Sequence, residues 1–209
     1  KIEFSNKLDV IAEIKRKSPS KGHLADIENP DELAKIYEKN DACLISVLTD
    51  EQYFGGSIKD LEQVRDAVKV PVLRKDFAID LTDVYETYLT GADAMLLIVA
   101  AIPDQSLLKD MYDLANQLGL SVLVETHSEN EIECATILDA KIVGVNVRDL
   151  KTFEESPDLG AKLLSCLGND VVKIWESSIL TLEQAQNARD CGADAVLVGQ
   201  GLVQHENPA

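Results

Sequence analysis

Eight short apolar, β-branched runs recur along this chain at intervals of roughly 20 to 33 residues, and that repetition constrains its fold more than any other feature. They cover Val10 to Ile14, Ala42 to Leu48, Val70 to Leu73, Ala92 to Val99, Ser121 to Val124, Lys141 to Val147, Val171 to Trp175 and Ala193 to Val198. Near-continuous apolar strands are typical of parallel sheets covered on both faces. Between them lie segments with helical apolar spacing: Leu33, Ile36 and Tyr37 before the second run, Leu61, Val64 and Val68 before the third, and Leu107, Leu108, Met111, Leu114 and Leu118 before the fifth. Helix starts are marked by Asn29-Pro30-Asp31-Glu32 and Thr181-Leu182-Glu183, where capping groups, proline and acids suit exposed amides. Gly91-Ala92-Asp93-Ala94 and Gly192-Ala193-Asp194-Ala195 are near-duplicate turns entering a strand, a sign of a repeated βα unit. The pattern predicts an α/β protein, a (β/α)8 TIM barrel forming a single domain over residues 1–209. An open doubly wound sheet is the competing fold, but the segment after the first strand, Lys15 to Gly22, holds no GxGxxG.

Composition narrows the function. With 20 Lys+Arg against 37 Asp+Glu, the net charge of −17 argues against a nucleic-acid partner. The longest apolar run, Met95 to Ile102, falls well short of the ~18 residues a membrane span needs. Four scattered cysteines, Cys43, Cys134, Cys166 and Cys191, show neither CxxC pairing nor metal-ligand spacing. No basic and apolar leader opens the chain, so a reducing, cytoplasmic location is expected.

In a barrel of this kind chemistry collects where strands run out at their C-terminal ends. Side chains two apart share a strand face, which groups Ile11, Glu13 and Lys15; Leu73, Lys75 and Phe77; Leu123 and Glu125; and Asn146 and Arg148. The expected ring holds two carboxylates, two ammonium groups, an amide and a guanidinium above an apolar floor. Lysine and glutamate held close in a partly dry site can exchange protons with a ligand, although any one pair could merely neutralise itself. Four strand ends carrying such groups together favour a site. The last two loops, Glu176-Ser177-Ser178-Ile179 and Gly199-Gln200-Gly201-Leu202, offer small residues whose backbone amides could approach a phosphate, or simply turn tightly. The basic run Lys15 to Lys21 could offset the acidic surface near the mouth. His23, His127 and His205 form no cluster; His127 stands close to Glu125 in sequence.

The stretch Ile11-Ala12-Glu13-Ile14-Lys15-Arg16-Lys17-Ser18-Pro19-Ser20-Lys21-Gly22 resembles the signature of the indole-3-glycerol phosphate synthase family. Further motifs follow in order: Ser46-Val47-Leu48-Thr49-Asp50, Tyr53-Phe54-Gly55-Gly56-Ser57, Leu73-Arg74-Lys75-Asp76-Phe77, Val124-Glu125-Thr126-His127, Gly144-Val145-Asn146-Val147-Arg148-Asp149-Leu150 and Glu176-Ser177. The resemblance implies a cofactor-free, metal-free lyase of tryptophan biosynthesis. It would close the indole ring of 1-(2-carboxyphenylamino)-1-deoxyribulose 5-phosphate with loss of carbon dioxide and water, beside other enzymes of that pathway as possible partners. It assigns Lys75 as general acid, Glu125 as base, Lys15 to the substrate carboxylate or the departing hydroxyl, and Glu13 to orienting the lysines. Asn146 and Arg148 would position the sugar and carboxylate, and Ser18, Pro19, Phe54, Phe77 and Leu96 would shape the aromatic pocket. Glu176, Ser177, Ser178, Leu197, Gly199 and Gln200 complete the expected substrate contacts. Other phosphosugar barrels, such as phosphoribosylanthranilate isomerase or tryptophan synthase α, use different acid and base sets. A non-catalytic phosphate-binding barrel or assembly partner is the alternative from another class.

The sequence departs from the family pattern at Ser178, where glycine is usual, and at Gln200, where a small hydroxyl residue is common. Both changes predict a weaker phosphate grip rather than lost proton transfer. Trp175 stands where a small residue is usual, and as the strand neighbour of Glu176 it should face the helices. Little of the family's N-terminal helical extension precedes the first strand and no full eighth helix follows the last, so less cover over the substrate is expected.

Overall fold

A computed structural model describes residues 2, 4–5, 7–148 and 156–205. Eight parallel strands close into a barrel: β1 (Asp9–Ile14), β2 (Leu44–Leu48), β3 (Val72–Lys75), β4 (Ala94–Ile98), β5 (Ser121–Thr126), β6 (Ile142–Asn146), β7 (Val172–Glu176) and β8 (Ala195–Val198). Each pairs with its sequence neighbours, and β1 closes against β8 with Ile11 opposite Leu197. Helices alternate with the strands around the outside, so the chain is a (β/α)8 TIM barrel. Among the described residues no helix is long and apolar enough to cross a membrane.

Strand alternation divides the apolar residues between two environments. Ile11, Leu44, Leu73, Leu96, Leu123, Ile174 and Leu197 point inward and form the barrel floor. Their neighbours Ala12, Ile45 and Val72 pack outward on one helical layer, and Met95, Val122, Val143, Trp175 and Val196 on a second. Trp175 therefore faces the helices. Gly160, in the Pro157–Ser165 helix, makes this possible: a Cβ there would stand 2.8 Å from Trp175 Cη2 and 2.4 Å from Val147 Cγ1.

Six of the eight strands begin one or two residues later than their apolar runs, whereas β1 begins one residue earlier and β5 at the same residue. Pro71 has no N–H to give the ladder, and β3 starts at Val72, whose N–H donates to Asp93 Oδ2 at 2.9 Å. Asp194 receives the Lys173 N–H at 2.8 Å in the same way. The duplicate turns thus share a physical task, since each aspartate satisfies an amide at the start of the adjacent strand. Helix starts are tied similarly. Thr181 and Gln184 form a reciprocal capping box, whereas Asn29 makes no side-chain cap and leaves Pro30 and two acids to begin the Pro30–Lys39 helix.

Candidate active site

The residues expected to act on or contact a substrate line one cavity of about 410 Å³ at the C-terminal mouth of the barrel, whereas Gly201 of the last loop and the three histidines are not part of its lining. Glu13 and Lys15 come from β1 and its exit, Lys75 ends β3, Glu125 lies near the end of β5, and Asn146 and Glu176 end β6 and β7. Leu96 and Leu197 contribute apolar floor, and Ser18, Pro19, Phe54, Phe77, Arg148, Ser177, Ser178, Gly199 and Gln200 form the rim. Ser20, Lys21, Leu48, Asp50, Tyr53, Asp76, Ile98, Ile179 and Leu180 also line it and were not expected. Asp149 and Leu150, the end of the β6 motif, lie outside the described residues.

The ring contains three carboxylates rather than two. Glu176 belongs to the strand, not to the loop after it, and is 1% exposed. Its position depends on Gly144 across the β6–β7 ladder, because a Cβ at Gly144 would come within 2.0 Å of Glu176 Oε1. Lys75 Nζ stands 3.2 Å from Glu125 Oε2 and 3.4 Å from Glu176 Oε2. Glu13 instead pairs with Lys15 at 2.5 Å, so the two lysines are oriented by different acids. The charge of Glu13 is still felt at Lys75, after those of Glu125 and Glu176. Asn146 links the remaining parts: its Nδ2 donates to Glu125 Oε1 at 3.0 Å, and its Oδ1 accepts from Ser177 Oγ at 2.8 Å and from the Arg148 N–H at 3.1 Å.

Burial opposes charge throughout this ring, and neighbours decide the outcome. Desolvation works against the Lys75 ammonium, but Glu125 and Glu176 outweigh it and hold its pKa above the ordinary lysine range. Glu125 is also penalised by burial, yet Lys75 and then His127 hold it well below the usual carboxylate range. Burial followed by repulsion from Glu125 pushes Glu176 up to about 8. Two carboxylates against one ammonium cannot both ionise cheaply in so dry a place, and the proton affinity of Glu176 is the one that rises.

The basic run contributes less charge to the mouth than its composition predicts. Arg16 turns away and forks onto Asp60 at 2.7 and 3.0 Å, with further bonds to the carbonyls of Ile27 and Gly55. Lys17 is bonded to the Gln52 carbonyl at 2.7 Å. These cations brace the loop after β1 against the Glu51–Phe54 and Ile58–Ala67 helices, while Lys15 and Lys21 line the cavity. Beside that loop Phe77 lies 6.1 Å from Phe54 and 6.4 Å from Tyr53 between ring centres, which makes an aromatic wall.

The phosphate-loop candidates have a different character. Ser177 and Ser178 both adopt left-handed backbone, with φ of 72° and 61°. Ser178 Oγ is buried and meets no hydrogen-bond partner in the structure. Gly199 sits against the Glu13–Lys15 pair, where a Cβ would approach Glu13 Oε1 to 2.5 Å, and Gln200 bonds Gln204 across the following turn.

Solved structures share the architecture at low identity. The chain superposes with TM-score 0.75 on N-acetylmannosamine-6-phosphate 2-epimerase from Clostridium perfringens, at 16% identity over 94% of this chain and 88% of that one. Thiamine phosphate pyrophosphorylase from Pyrococcus furiosus gives 0.71 at 14% identity, over 97% and 91%. Those likenesses concern the fold. Sequence comparison reaches further: the indole-3-glycerol phosphate synthase of Paenarthrobacter aurescens is 46% identical over 97% of this chain and 74% of its own length. The corresponding protein of Mycobacterium ulcerans is 47% identical over 96% and 74%, and that of Chloroherpeton thalassium 45% over 98% and 78%. The family sequence model described as "Indole-3-glycerol phosphate synthase" matches residues 2–209, and the chain belongs to that family.

Proposed function

We propose that this barrel, taken as one domain over residues 1–209, converts 1-(2-carboxyphenylamino)-1-deoxyribulose 5-phosphate to indole-3-glycerol phosphate, carbon dioxide and water. The observation that carries the reading is Lys75, held as an ammonium by two buried carboxylates of opposite protonation tendency. When the aromatic carbon attacks the ketone, the oxygen becomes strongly basic and takes the Lys75 proton, despite that lysine's raised pKa. Decarboxylation at the attacking carbon restores the aromatic benzene ring and leaves a hydroxyindoline, and loss of the hydroxyl as water with removal of a ring proton completes the indole.

The same geometry couples acid to base. Glu125 is a weak base while Lys75 carries its charge at 3.2 Å. Once Lys75 has donated, the principal attraction holding Glu125 ionised is gone and its proton affinity rises. The base therefore strengthens after the acid has acted, which matches ring closure before dehydration.

Lys15, oriented by Glu13, is assigned to the substrate carboxylate or the departing hydroxyl, and Asn146 with Arg148 to the sugar side. Ser18, Pro19, Phe54, Phe77 and Leu96 hold the anthranilate ring, with Leu197 beneath it. Backbone amides around Ser177, Ser178, Gly199 and Gln200 are assigned to the phosphate. The reaction balances with side-chain proton transfers alone, and no cofactor or metal is invoked. Steady-state fluorescence of product formation, with Lys75→Ala beside the parent, tests the assignment. Turnover in the parent and its loss in the variant are expected; a folded parent without turnover would favour a non-catalytic phosphate-binding barrel.

A further inference from the structure

His127 leaves β5 two residues after Glu125 and turns back beneath it, with a side chain only 11% exposed. Its Nδ1 is hydrogen-bonded to Glu131 Oε2 at 3.2 Å, and its buried Nε2 stands 3.2 Å from Glu125 Oε1, within ion-pair distance but without the alignment of a hydrogen bond. Glu131 is fixed by the following helix, Glu129–Ile137. Its Oε2 accepts the His127 backbone N–H at 2.9 Å, and its Oε1 accepts from the Ser128 hydroxyl at 3.0 Å. An imidazole with a carboxylate at each nitrogen can satisfy both only by carrying a proton on each, because a neutral ring would turn a lone pair toward one of the anions. The Lys162–Glu129 ion pair completes the charged surroundings at the start of that helix.

Glu125 is consequently held by different partners at its two oxygens. Oε1 faces His127 and the Asn146 amide, while Oε2 faces Lys75, with Glu176 beyond it. We propose that His127 is a positioning residue for the reaction: an imidazolium clamped between Glu131 and Glu125, it anchors Glu125 Oε1 and keeps Oε2 aimed at Lys75 and the substrate. The role rests on the synthase reading for its catalytic consequence, but the clamp itself is a property of the folded chain. Burial disfavours the charged ring, yet the two carboxylates raise its pKa to about 9, in keeping with this arrangement.

The test pairs kinetics with a titration independent of activity. His127→Gln removes the charge at every pH, so its kcat relative to the parent is expected to be about one tenth at neutral pH and to rise toward one by about pH 10, where the parent ring has also lost its proton. Substrate titrations common to both proteins cancel in that ratio. A ratio independent of pH would mean that the side chain is only structural, and would overturn the proposal. With three histidines in the chain, the His127 ring resonances can be assigned by difference and followed by NMR. Their midpoint is expected above pH 8 in the parent and about one unit lower in Glu131→Gln. A parent midpoint at or below the ordinary ~6.5 overturns the clamp. Glu131→Gln carries both measurements should His127→Gln fail to fold. A parent that shows no turnover while His127 titrates above 8 would retire the synthase reading and leave the clamp standing.

Discussion

The proton-transfer ring and the loops after β7 and β8 lie in the same cavity but are built on opposite principles. In the ring charged groups are met by partners at short range: Lys75 by Glu125 and Glu176 from other strands, Glu125 by Asn146 from the next strand and by His127 two residues on, and Lys15 by Glu13. In the loop after β7, two consecutive serines occupy left-handed backbone that suits glycine. Under the proposed function, ion pairs fix the groups that would move protons, and a strained backbone is tolerated where the phosphate would be gripped. A misplaced acid loses catalysis outright, whereas a strained anion loop weakens binding by a margin the substrate concentration can cover.

The contrast breaks most sharply at Lys75. Lys75→Ala is expected to lower kcat by about a thousandfold, within the range for a lost general acid, with the barrel retained by circular dichroism. Retention of the parent rate would remove the acid assignment.

His127 gives the next largest effect, read as stability. Its folded pKa of about 9 lies above the unfolded value near 6.5, so the stabilisation is fully present below pH 6.5 and is lost as pH rises through 9. Urea unfolding should show the parent's advantage over His127→Gln shrinking by on the order of 3 kcal/mol between pH 6 and pH 10. An advantage that stays constant over this range would contradict the raised pKa.

Gly144→Ala probes the crowding behind the ring. The new methyl must displace the Glu176 carboxyl, and a loss of about 1 to 3 kcal/mol in stability is expected together with at least about tenfold in kcat. Unchanged kinetics would show that the place of Glu176 is immaterial to turnover.

Ser178→Gly gives the smallest change and has the opposite sign. Relief of the left-handed backbone is worth up to ~1 kcal/mol, and KM should fall about threefold with kcat nearly constant. A raised KM would show that the serine side chain, rather than the amide beside it, serves the ligand.

Period-two alternation made much of this legible. Glu13 with Lys15, Leu73 with Lys75, and Leu123 with Glu125 each reach the cavity or its floor as strand spacing requires. Glu176 was misplaced because Glu176-Ser177-Ser178 reads locally as a polar loop; only the ladder to Asn146 and the room at Gly144 draw it inside. Arg16 could not be told from its basic neighbours, since its fate is decided by Asp60, 44 positions away. The sequence proximity of His127 to Glu125 was visible, but its second carboxylate arrives through the turn into the next helix. Long-range pairing such as that of Arg16 with Asp60 leaves no periodic trace.

Gly160 and Trp175 together have an optical consequence. The chain's only tryptophan is enclosed on the outer side of β7, one residue from Glu176, with its indole N–H out of contact with water. Its emission should be blue-shifted when the barrel is closed and move to the red when β7 parts from the Pro157–Ser165 helix. All tryptophan emission comes from that single seam, so an unfolding curve followed by this signal times the opening of one wall of the active site. The indole ring of the proposed product absorbs in the same band, which makes a matched enzyme-only trace necessary in any fluorescence assay of turnover.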